Sequence, residues 1–396
     1  MRFHRSTTEA VCHALDQIFN EGRYADKVIE KVLKQNPKWG ARDRRFIAET
    51  TYDIVRWYLL LRYIVRAREN EYWKLIAAWS IVKGISFPDW REFSGVNISD
   101  ARARYQDAQQ KRSVRESIPD WLDVLGEDEL KETWEKELRS LNEEALVVLR
   151  ANTLKTSADA LRVTLEDDGV ETDFIKGHND ALVLAQRQNV FTLPSFKEGL
   201  FEVQDAASQA VAPFLNLEPG MRVIDACAGA GGKTLHIAAL MKNKGRIIAM
   251  DVEQWKLDEL QKRARRAGVS NLEARLIDSS KIIKRLEGSA DRLLLDVPCS
   301  GLGVLKRNPD AKWKLSSQFI TEVKAAQKQI LADYSVMLKP GGLMVYSTCS
   351  ILPSENRHQV EHFLAQRDNF ELIKDDHLWP SDGFDGFYMA LLRRRA

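Results

Sequence analysis

The chain has 396 residues, 44% of them hydrophobic and 29% charged, and its 59 lysines and arginines nearly balance its 57 aspartates and glutamates. These values exclude a disordered chain and predict two or three globular domains, while a net charge of +2 is too small to indicate a nucleic-acid partner alone. Four scattered cysteines predict free thiols, and the sequence shows neither an apolar signal segment nor a membrane-length apolar run, so we expect a cytoplasmic protein without a membrane partner.

The first third of the sequence predicts helices. Its stretches KVIEKVLK and RRFIAETTYDIVRWYLLLRYI carry apolar residues at helical spacing. The pattern loosens between Phe87 and about Trp121, where SFPDWREFSGVNISD predicts a loop or linker. A short mixed segment follows, in which VVLRANTL and ALVLAQ predict strands and SADALRVTLEDDG predicts the helix between them.

From Pro219 onward, short apolar strands alternate with helices, which predicts a doubly wound, mostly parallel sheet. The expected strands are MRVIDACAG, GRIIAMD, LEARLID, ADRLLLDVP and GGLMVYSTC, and the helices are KTLHIAALMKN, EQWKLDELQKRARRAG, SQFITEVKAAQKQILADYSVML and SENRHQVEHFLAQR. Ligands of such sheets bind at the carboxyl ends of the strands. Cys299, Cys349, Asp251 and Asp278 all fall at these ends, so we expect them to face an active cleft.

The loop CAGAGGKT (227–234) follows the first of these strands and predicts a nucleotide-like ligand. A phosphate-binding loop would need glycine where Cys227 stands, and a dinucleotide fingerprint would need wider glycine spacing. A loop for S-adenosyl-L-methionine fits better, because Asp251 ends the second strand about twenty residues on, where an acid accepts from both ribose hydroxyls. Asp278 ends the third strand, where an acid can accept from the adenine amino group.

The two strand-end thiols, each followed by serine, suggest a target carbon too electron-poor to be methylated unaided. Carbon 5 of cytosine is such a carbon, because a thiolate added at carbon 6 makes carbon 5 nucleophilic. A single strand-end cysteine is more often a small packed hydrophobe, and we expect that role for Cys12. A zinc site built from Cys227, Cys299 and Cys349 is disfavoured by the lack of a C-x-x-C pair, so no metal is expected.

Residues 200–396 resemble the Sun/Fmu family of RNA cytosine-5 methyltransferases in VQDAASQ, DACAGAGGKT, LLLDVPCSGLGVLKRNPDAKWK and GGLMVYSTCSILPSEN. The first third resembles the helical NusB-like RNA-binding domain of bacterial ribosomal members, and LRANTL resembles the start of their small middle domain. The resemblance implies a helical domain over 1–140, a small α+β, RRM-like domain over 141–204, and a Rossmann-like class I methyltransferase domain with a seven-stranded sheet over 205–396. One departure is Gly229-Ala230, where the family usually has Ala-Pro, and it predicts a more flexible cofactor loop.

The same resemblance implies the roles of individual residues. Cys349 is the expected nucleophile and Cys299 the residue that assists product release, although DNA cytosine-5 methyltransferases place the nucleophile in the Pro-Cys position. Lys233 and Asp296 are placed near the polar edge of the target base, where Asp296 can accept from the cytosine amino group. The implied cofactor-binding set is Cys227, Ala228, Gly229, Ala230, Gly231, Gly232, Lys233, Asp251, Asp278 and Asp296.

The expected partner is RNA, most specifically 16S ribosomal RNA of the small subunit, bound by a monomer. Two alternatives remain open: a tRNA or DNA cytosine-5 methyltransferase, and a non-catalytic RNA-binding ribosome assembly factor. Basic clusters stand at GARDRRF (40–46), QKRARRAG (261–268) and LKRNPDAKWK (305–314). The first two fit solvated helix faces equally well, whereas the third lies beside Cys299, and we expect it to contact the RNA.

Overall fold

The structure, a computed structural model, describes residues 3–396 and divides into two compact units. The first unit contains the described residues up to Glu143 together with Leu305–Ser317, and it is helical. Its helices before Glu143 are α1 (Arg5–Phe19), α2 (Ala25–Gln35), α3 (Ala41–Arg56), α4 (Tyr58–Val65), α5 (Tyr72–Lys83), α6 (Ile98–Ala108), α7 (Arg112–Arg115), α8 (Asp120–Leu130) and α9 (Trp134–Leu141). Apolar residues recurring every three or four positions form the core of this unit, as the sequence predicts.

The second unit begins with a small antiparallel sheet. Its strands are β1 (Val148–Ala151), β2 (Thr172–Ile175), β3 (His178–Leu184) and β4 (Phe201–Val203), in the order β2-β3-β1-β4. Two helices accompany them, α10 (Ala158–Asp167) and α11 (Pro194–Lys197). The predictions of β1, α10 and β3 are confirmed, and α10 begins where the Ser157 side chain accepts from the Ala160 amide.

The large sheet of the second unit has seven strands in the order β10-β11-β9-β8-β5-β6-β7. They are β5 (Arg222–Asp225), β6 (Arg246–Asp251), β7 (Leu272–Leu276), β8 (Ala290–Asp296), β9 (Leu338–Thr348), β10 (Phe370–Leu378) and β11 (Phe387–Arg394). Strands β5 to β9 pair with one another in parallel, whereas β11 pairs antiparallel with both β9 and β10. The expected doubly wound, mostly parallel α/β fold is therefore confirmed.

Helices cover both faces of this sheet. They are α12 (Ala206–Phe214), α13 (Gly232–Leu240), α14 (Gln254–Ala267), α15 (Ser280–Arg285), α17 (Ser317–Tyr334) and α18 (Arg357–Gln366). The one-turn α16 (Ala311–Lys314) belongs to the helical unit. Side chains of β8 alternate between the two layers: Leu293 and Leu295 pack in one apolar cluster and Leu294 in the other. This alternation explains why the central strands are apolar throughout. Within residues 3–396 no helix combines the length and apolarity that crossing a membrane requires.

Two local predictions differ from the structure. The strand expected from GGLMVYSTC begins earlier, at Leu338, and the Pro-Gly-Gly sequence is an irregular, partly exposed section within β9, where the pairing with β8 shifts and Gly341 has a φ of 76°. The helix expected from Ser354 begins only at Arg357, because the buried side chains of Glu355 and Asn356 accept from Ser350 and Thr348 and hold the turn before it.

The segment Leu305–Ser317 belongs to the helical unit although it follows the Cys299 loop in sequence. Arg56 donates to the Lys306 carbonyl over 2.8 Å, and the Trp313 indole donates to the Val55 carbonyl over 2.7 Å. Lys306 and Lys312 are only 3% and 2% exposed, so the expectation that this segment offers them to RNA is wrong for these two lysines. Their ammonium groups instead donate to Glu143 and Asn142 of the same unit.

Candidate active site

The two predicted thiols meet at the carboxyl ends of neighbouring strands. Cys299 follows β8 and Cys349 follows β9, and because these strands are parallel their ends lie at one edge of the sheet. The two sulfur atoms are 3.3 Å apart, and both residues are partly exposed. The structure therefore brings together two side chains that are 50 residues apart in the sequence.

The Cys299 thiol is strongly disposed to keep its proton. Its hydrogen bond with Cys349, its burial and the nearby carboxylate of Glu355 together raise the pKa of Cys299 well above its usual value. A thiol in this state can give or relay a proton but is a weak nucleophile at neutral pH.

Lys233 and Asp296 form an ion pair at the same edge of the sheet. The Lys233 ammonium donates to Asp296 Oδ2 over 2.7 Å, and the Ser347 hydroxyl donates to Asp296 Oδ1 over 2.9 Å. Burial opposes the charge on Lys233, but Asp296 outweighs it, so the pKa of Lys233 is raised. This pair presents a fixed cation and a fixed carboxylate, which suits recognition of a polar base edge. Ser347 was not expected from the sequence.

The loop between β5 and α13 adopts the geometry that its glycines predict. Gly229 and Gly231 have φ angles of 52° and 92°, in the left-handed region. A Cβ on Gly231 would lie 2.7 Å from Leu260 Cγ, whereas a Cβ on Gly229 would meet nothing within 4 Å. The space beside Gly231 is thus filled by Leu260, whereas the space beside Gly229 is open.

Asp251 faces this loop, as predicted for a ribose-binding acid. Its Oδ2 accepts from the Gly229 amide and its Oδ1 from the Glu253 amide, each over 2.9 Å. Each carboxylate oxygen keeps a further lone pair, so the two oxygens can still accept from two hydroxyl groups. With Asp296 bound to Lys233 of the same loop, the site repels phosphate and fits an uncharged nucleoside with donor groups. The residues present therefore fit S-adenosyl-L-methionine.

The other expected cofactor residues occupy different environments. Asp278 is exposed two residues beyond β7 and accepts from the Ser279 hydroxyl. Cys227 is turned toward the core, where burial raises its pKa well above the usual value, and the Ala228 amide donates to the Met250 carbonyl. Asp225, which the sequence analysis missed, accepts from Thr234, and its burial raises its pKa to about 7. The described residues hold no cluster of three or more His, Cys, Asp or Glu side chains suited to a metal.

Two arginines hold carbonyl groups of the cofactor loop. Arg263 donates to the Ala230 carbonyl, and Arg150 to the Gly232 carbonyl, each over 2.8 Å. Arg263 and Arg266 are both paired with the buried Glu202 of β4, so the basic run 261–268 serves the fold at these two positions. The loop is therefore held at Ala230 and Gly232 by side chains from elsewhere in the same unit.

A doubly wound seven-stranded sheet with an open glycine loop and a strand-end acid defines the class of S-adenosylmethionine-dependent methyltransferases. Comparisons with known proteins narrow this class. The model of the 16S rRNA methyltransferase RsmB/F family matches residues 212–393, and the model of the RsmF/B-like ferredoxin-like domain matches residues 118–191. The chain belongs to the RsmB/F methyltransferase family, and its cofactor is S-adenosyl-L-methionine.

Individual relatives agree with this assignment. A probable ribosomal RNA small subunit methyltransferase B of Synechocystis is 33% identical over 90% of this chain and 88% of its own length. Ribosomal RNA small subunit methyltransferase B of Vibrio vulnificus is also 33% identical, over 70% and 67% of the two chains. A methyltransferase homolog protein from Pyrococcus horikoshii, 26% identical, covers 72% of this chain and 98% of its own with a TM-score of 0.64. The crystal structure of PH0851, 24% identical, shares the fold over 100% of both chains with a TM-score of 0.84.

Proposed function

We propose that the protein methylates carbon 5 of a cytosine in 16S ribosomal RNA of the small subunit. The 3.3 Å approach of the Cys299 and Cys349 sulfurs carries the proposal, because two adjacent thiols suit addition to a pyrimidine followed by release. The names of the relatives supply the RNA class. Cytosine chemistry, unlike methylation of an exposed amine or hydroxyl, needs a covalent nucleophile, and the site offers one.

In this proposal the Cys349 thiolate adds to carbon 6 of the base, which makes carbon 5 electron-rich. When bound, S-adenosyl-L-methionine supplies the methyl group that carbon 5 accepts. Removal of the proton from carbon 5 then re-forms the double bond and expels the Cys349 thiolate. Cys299, whose sulfur lies against that of Cys349, is positioned to relay the proton in this last step: it gives its own proton to the departing Cys349 sulfur and takes up the proton from carbon 5.

Asp296 and Lys233 are proposed to select the base. Asp296 can accept from the amino group of cytosine, whereas the carbonyl of uracil would face the carboxylate and be repelled. The ammonium of Lys233 fixes the orientation of that carboxylate and can approach the base carbonyl. The cofactor is proposed to lie on residues 227–233, with Asp251 at its ribose and Asp278 near its adenine.

The division of labour between the thiols is tested with labelled 16S ribosomal RNA on a denaturing gel. Cys349→Ala should give neither methylated product nor a shifted band, because no adduct forms. Cys299→Ala should methylate once and remain attached, giving a covalent protein–RNA band. Cys12→Ala, in the helical unit, is the matched control and should behave as the unaltered protein. A shifted band with Cys349→Ala but not with Cys299→Ala would show that the roles are exchanged, as in DNA cytosine-5 methyltransferases.

The same gel separates the alternatives in substrate. With tRNA or DNA in place of 16S ribosomal RNA, the Cys299→Ala protein should give no band, and a band with either would reassign the substrate. A non-catalytic assembly factor would give no product with any of the three. Bisulfite sequencing of RNA from a strain lacking the protein would then identify the cytosine.

A further inference from the structure

A single buried carboxylate joins the loops that carry the two thiols. Glu355 lies between β9 and α18 with no exposed surface. Its Oε1 accepts from the hydroxyls of Ser300 and Ser350, the residues that directly follow Cys299 and Cys349. The two hydroxyls also lie 3.2 Å from each other. The serines of both Cys-Ser pairs therefore donate to the same oxygen atom, Glu355 Oε1.

The second oxygen of Glu355 holds the Cys299 loop from its other side. Oε2 accepts from the Ser300 amide over 2.8 Å and from the Gln327 side chain of α17 over 3.0 Å. Gln327 also donates to the Pro298 carbonyl over 2.9 Å, so the peptides before and after Cys299 are both fixed. Hydrogen bonds to a buried carboxylate are among the stronger ones in proteins, which makes this a rigid support.

Asn356, the residue after Glu355, helps to fix the Cys349 loop as well. Asn356 donates to the Ser350 carbonyl over 2.9 Å, and the Ser350 amide donates to Thr348 Oγ1 over 3.2 Å. Glu355 and Asn356 thus act from one turn on the residues flanking Cys349. The serine that follows each cysteine is explained by this arrangement, because a small hydroxyl donor can reach the shared carboxylate.

We propose that Glu355 is a positioning residue that sets the distance between the Cys299 and Cys349 sulfurs by binding both Cys-Ser loops. The inference rests on the proposed function, since the two-thiol chemistry requires this distance at both addition and release. The negative charge of Glu355 is also one of the factors that raise the pKa of Cys299 and keep its thiol protonated. Misplacing reacting groups by about 1 Å can slow a reaction by about 100-fold, so a support of this kind has a measurable effect.

The distance between the sulfurs can be probed without RNA. Diamide takes two hydrogens from a pair of adjacent thiols, joining them as a disulfide while it is reduced to a hydrazine. In the full chain, the Cys299–Cys349 disulfide should form rapidly, measured by mass spectrometry of the linked peptides. In Glu355→Ala its formation should slow by about tenfold or more, because the sulfurs no longer share a fixed geometry. Glu355→Gln keeps the length of the side chain and one oxygen that can accept from both serines, but its amide nitrogen faces the Ser300 and Gln327 donors, so it should restore only part of the rate.

Methyl transfer supplies the second measurement. In Glu355→Ala the kcat should fall by about 100-fold while the KM for S-adenosyl-L-methionine stays within about twofold, because the cofactor loop is untouched. Glu361→Ala, an exposed residue of α18, is the matched control and should leave both measurements unchanged. If Glu355→Ala does not fold, the double variant Ser300→Ala with Ser350→Ala carries the same expectation. An unchanged rate of disulfide formation in a folded variant would overturn the proposal. Slower disulfide formation with no 5-methylcytosine made even by the unaltered protein would overturn the proposed function instead.

Discussion

Two buried lysines, one in each unit, show how a partner decides the charge of a buried group. Lys233 in the cofactor loop lies against Asp296, and its pKa is raised despite its burial. Lys312 in the segment 305–317 is more fully enclosed, and its burial and the nearby Arg56 lower its pKa well below the usual 10.5. The amide of Asn142 accepts from Lys312 without neutralising it. A buried cation is thus kept where a carboxylate holds it, and is disfavoured where only a neutral acceptor does.

The two lysines have different roles, because Lys233 belongs to the candidate active site and Lys312 belongs to the framework of the helical unit. Lys233 keeps a charge at the edge where substrate is proposed to bind, whereas Lys312 and its segment hold the helical unit together. A chain shortened to begin near Glu143 would leave residues 305–317 without the helices on which they pack. Single substitutions in the full chain are therefore the better way to test the two regions.

The largest effect is expected for Lys233→Met, which removes the charged member of the two lysines compared above. Methylation should fall by about 100-fold, because the substitution removes the cation that orients Asp296. Stability should fall by about 1–3 kcal/mol, since Asp296 is left without its partner. Lys339→Met is the matched control, because it breaks the more exposed Lys339–Asp291 pair and should cost less than about 1 kcal/mol. Single-turnover methylation and urea unfolding are the measurements, and equal results for the two variants would contradict the comparison.

Removing Asp251, the acid that faces the cofactor loop, should have the next largest effect. Asp251→Ala should weaken S-adenosyl-L-methionine binding by about 1.5–3 kcal/mol, which is the usual loss for hydrogen bonds to a charged group. Titration calorimetry measures the change directly. Asp258→Ala, on the exposed face of α14, is the control and should leave the affinity unaltered. Unchanged affinity in a folded Asp251→Ala protein would mean that the ribose binds elsewhere.

The dependence of stability on pH distinguishes the two lysines most sharply. Because the folded-state pKa of Lys312 is lowered, the unfolded chain binds more protons between that lowered pKa and 10.5, and stability rises with pH in that range. Relative to Lys312→Met, the unaltered protein should therefore gain stability between pH 8.5 and 9.5, with an upper limit of about 1.4 kcal/mol per pH unit. The raised pKa of Lys233 has the opposite sign, and its contribution is complete below the usual value and is lost only above it.

Chemical unfolding at both pH values measures this difference. Lys312→Met should also retain methylation, since Lys312 belongs to the scaffold. If the free energy of unfolding changed equally with pH in the unaltered protein and in Lys312→Met, Lys312 would be charged in the folded protein.

The smallest effect is expected on the exposed basic residues of the helical unit. Arg42 and Arg45 are exposed on α3, within the GARDRRF cluster that the sequence singled out. Replacing both with alanine should weaken RNA binding by about 1 kcal/mol and reduce the salt slope of log K by about 1–2, if each neutralises one phosphate. Arg367→Ala, exposed after α18, is the control. An unchanged salt slope would place the RNA on another surface.

The elements that depend on local pattern were predictable from the sequence. Strands β5 to β9 and helices α13, α14 and α17 follow from alternating apolar runs and turn residues, and the strand-end positions of Cys299, Cys349 and Asp251 follow from them. The short helices α15 and α16 were not predicted. The hairpin of β10 and β11 was missed, because β10 is a sheet-edge strand with the charged sequence FELIKDDHL and lacks an apolar run. The limits of the three predicted domains stay a prediction.

The role of the sequence around the thiols was only partly visible. The repeated Cys-Ser pairs signalled that both sites are alike, but nothing local shows that both serines bind Glu355, which was placed in a helix instead. Likewise, the lysines of LKRNPDAKWK were expected to face RNA, because composition does not show which side of a segment is buried. The sequence by itself determined which chemical groups stand at the strand ends. Only the tertiary structure decided which of them meet, because hydrogen bonds and burial depend on residues far apart in the chain.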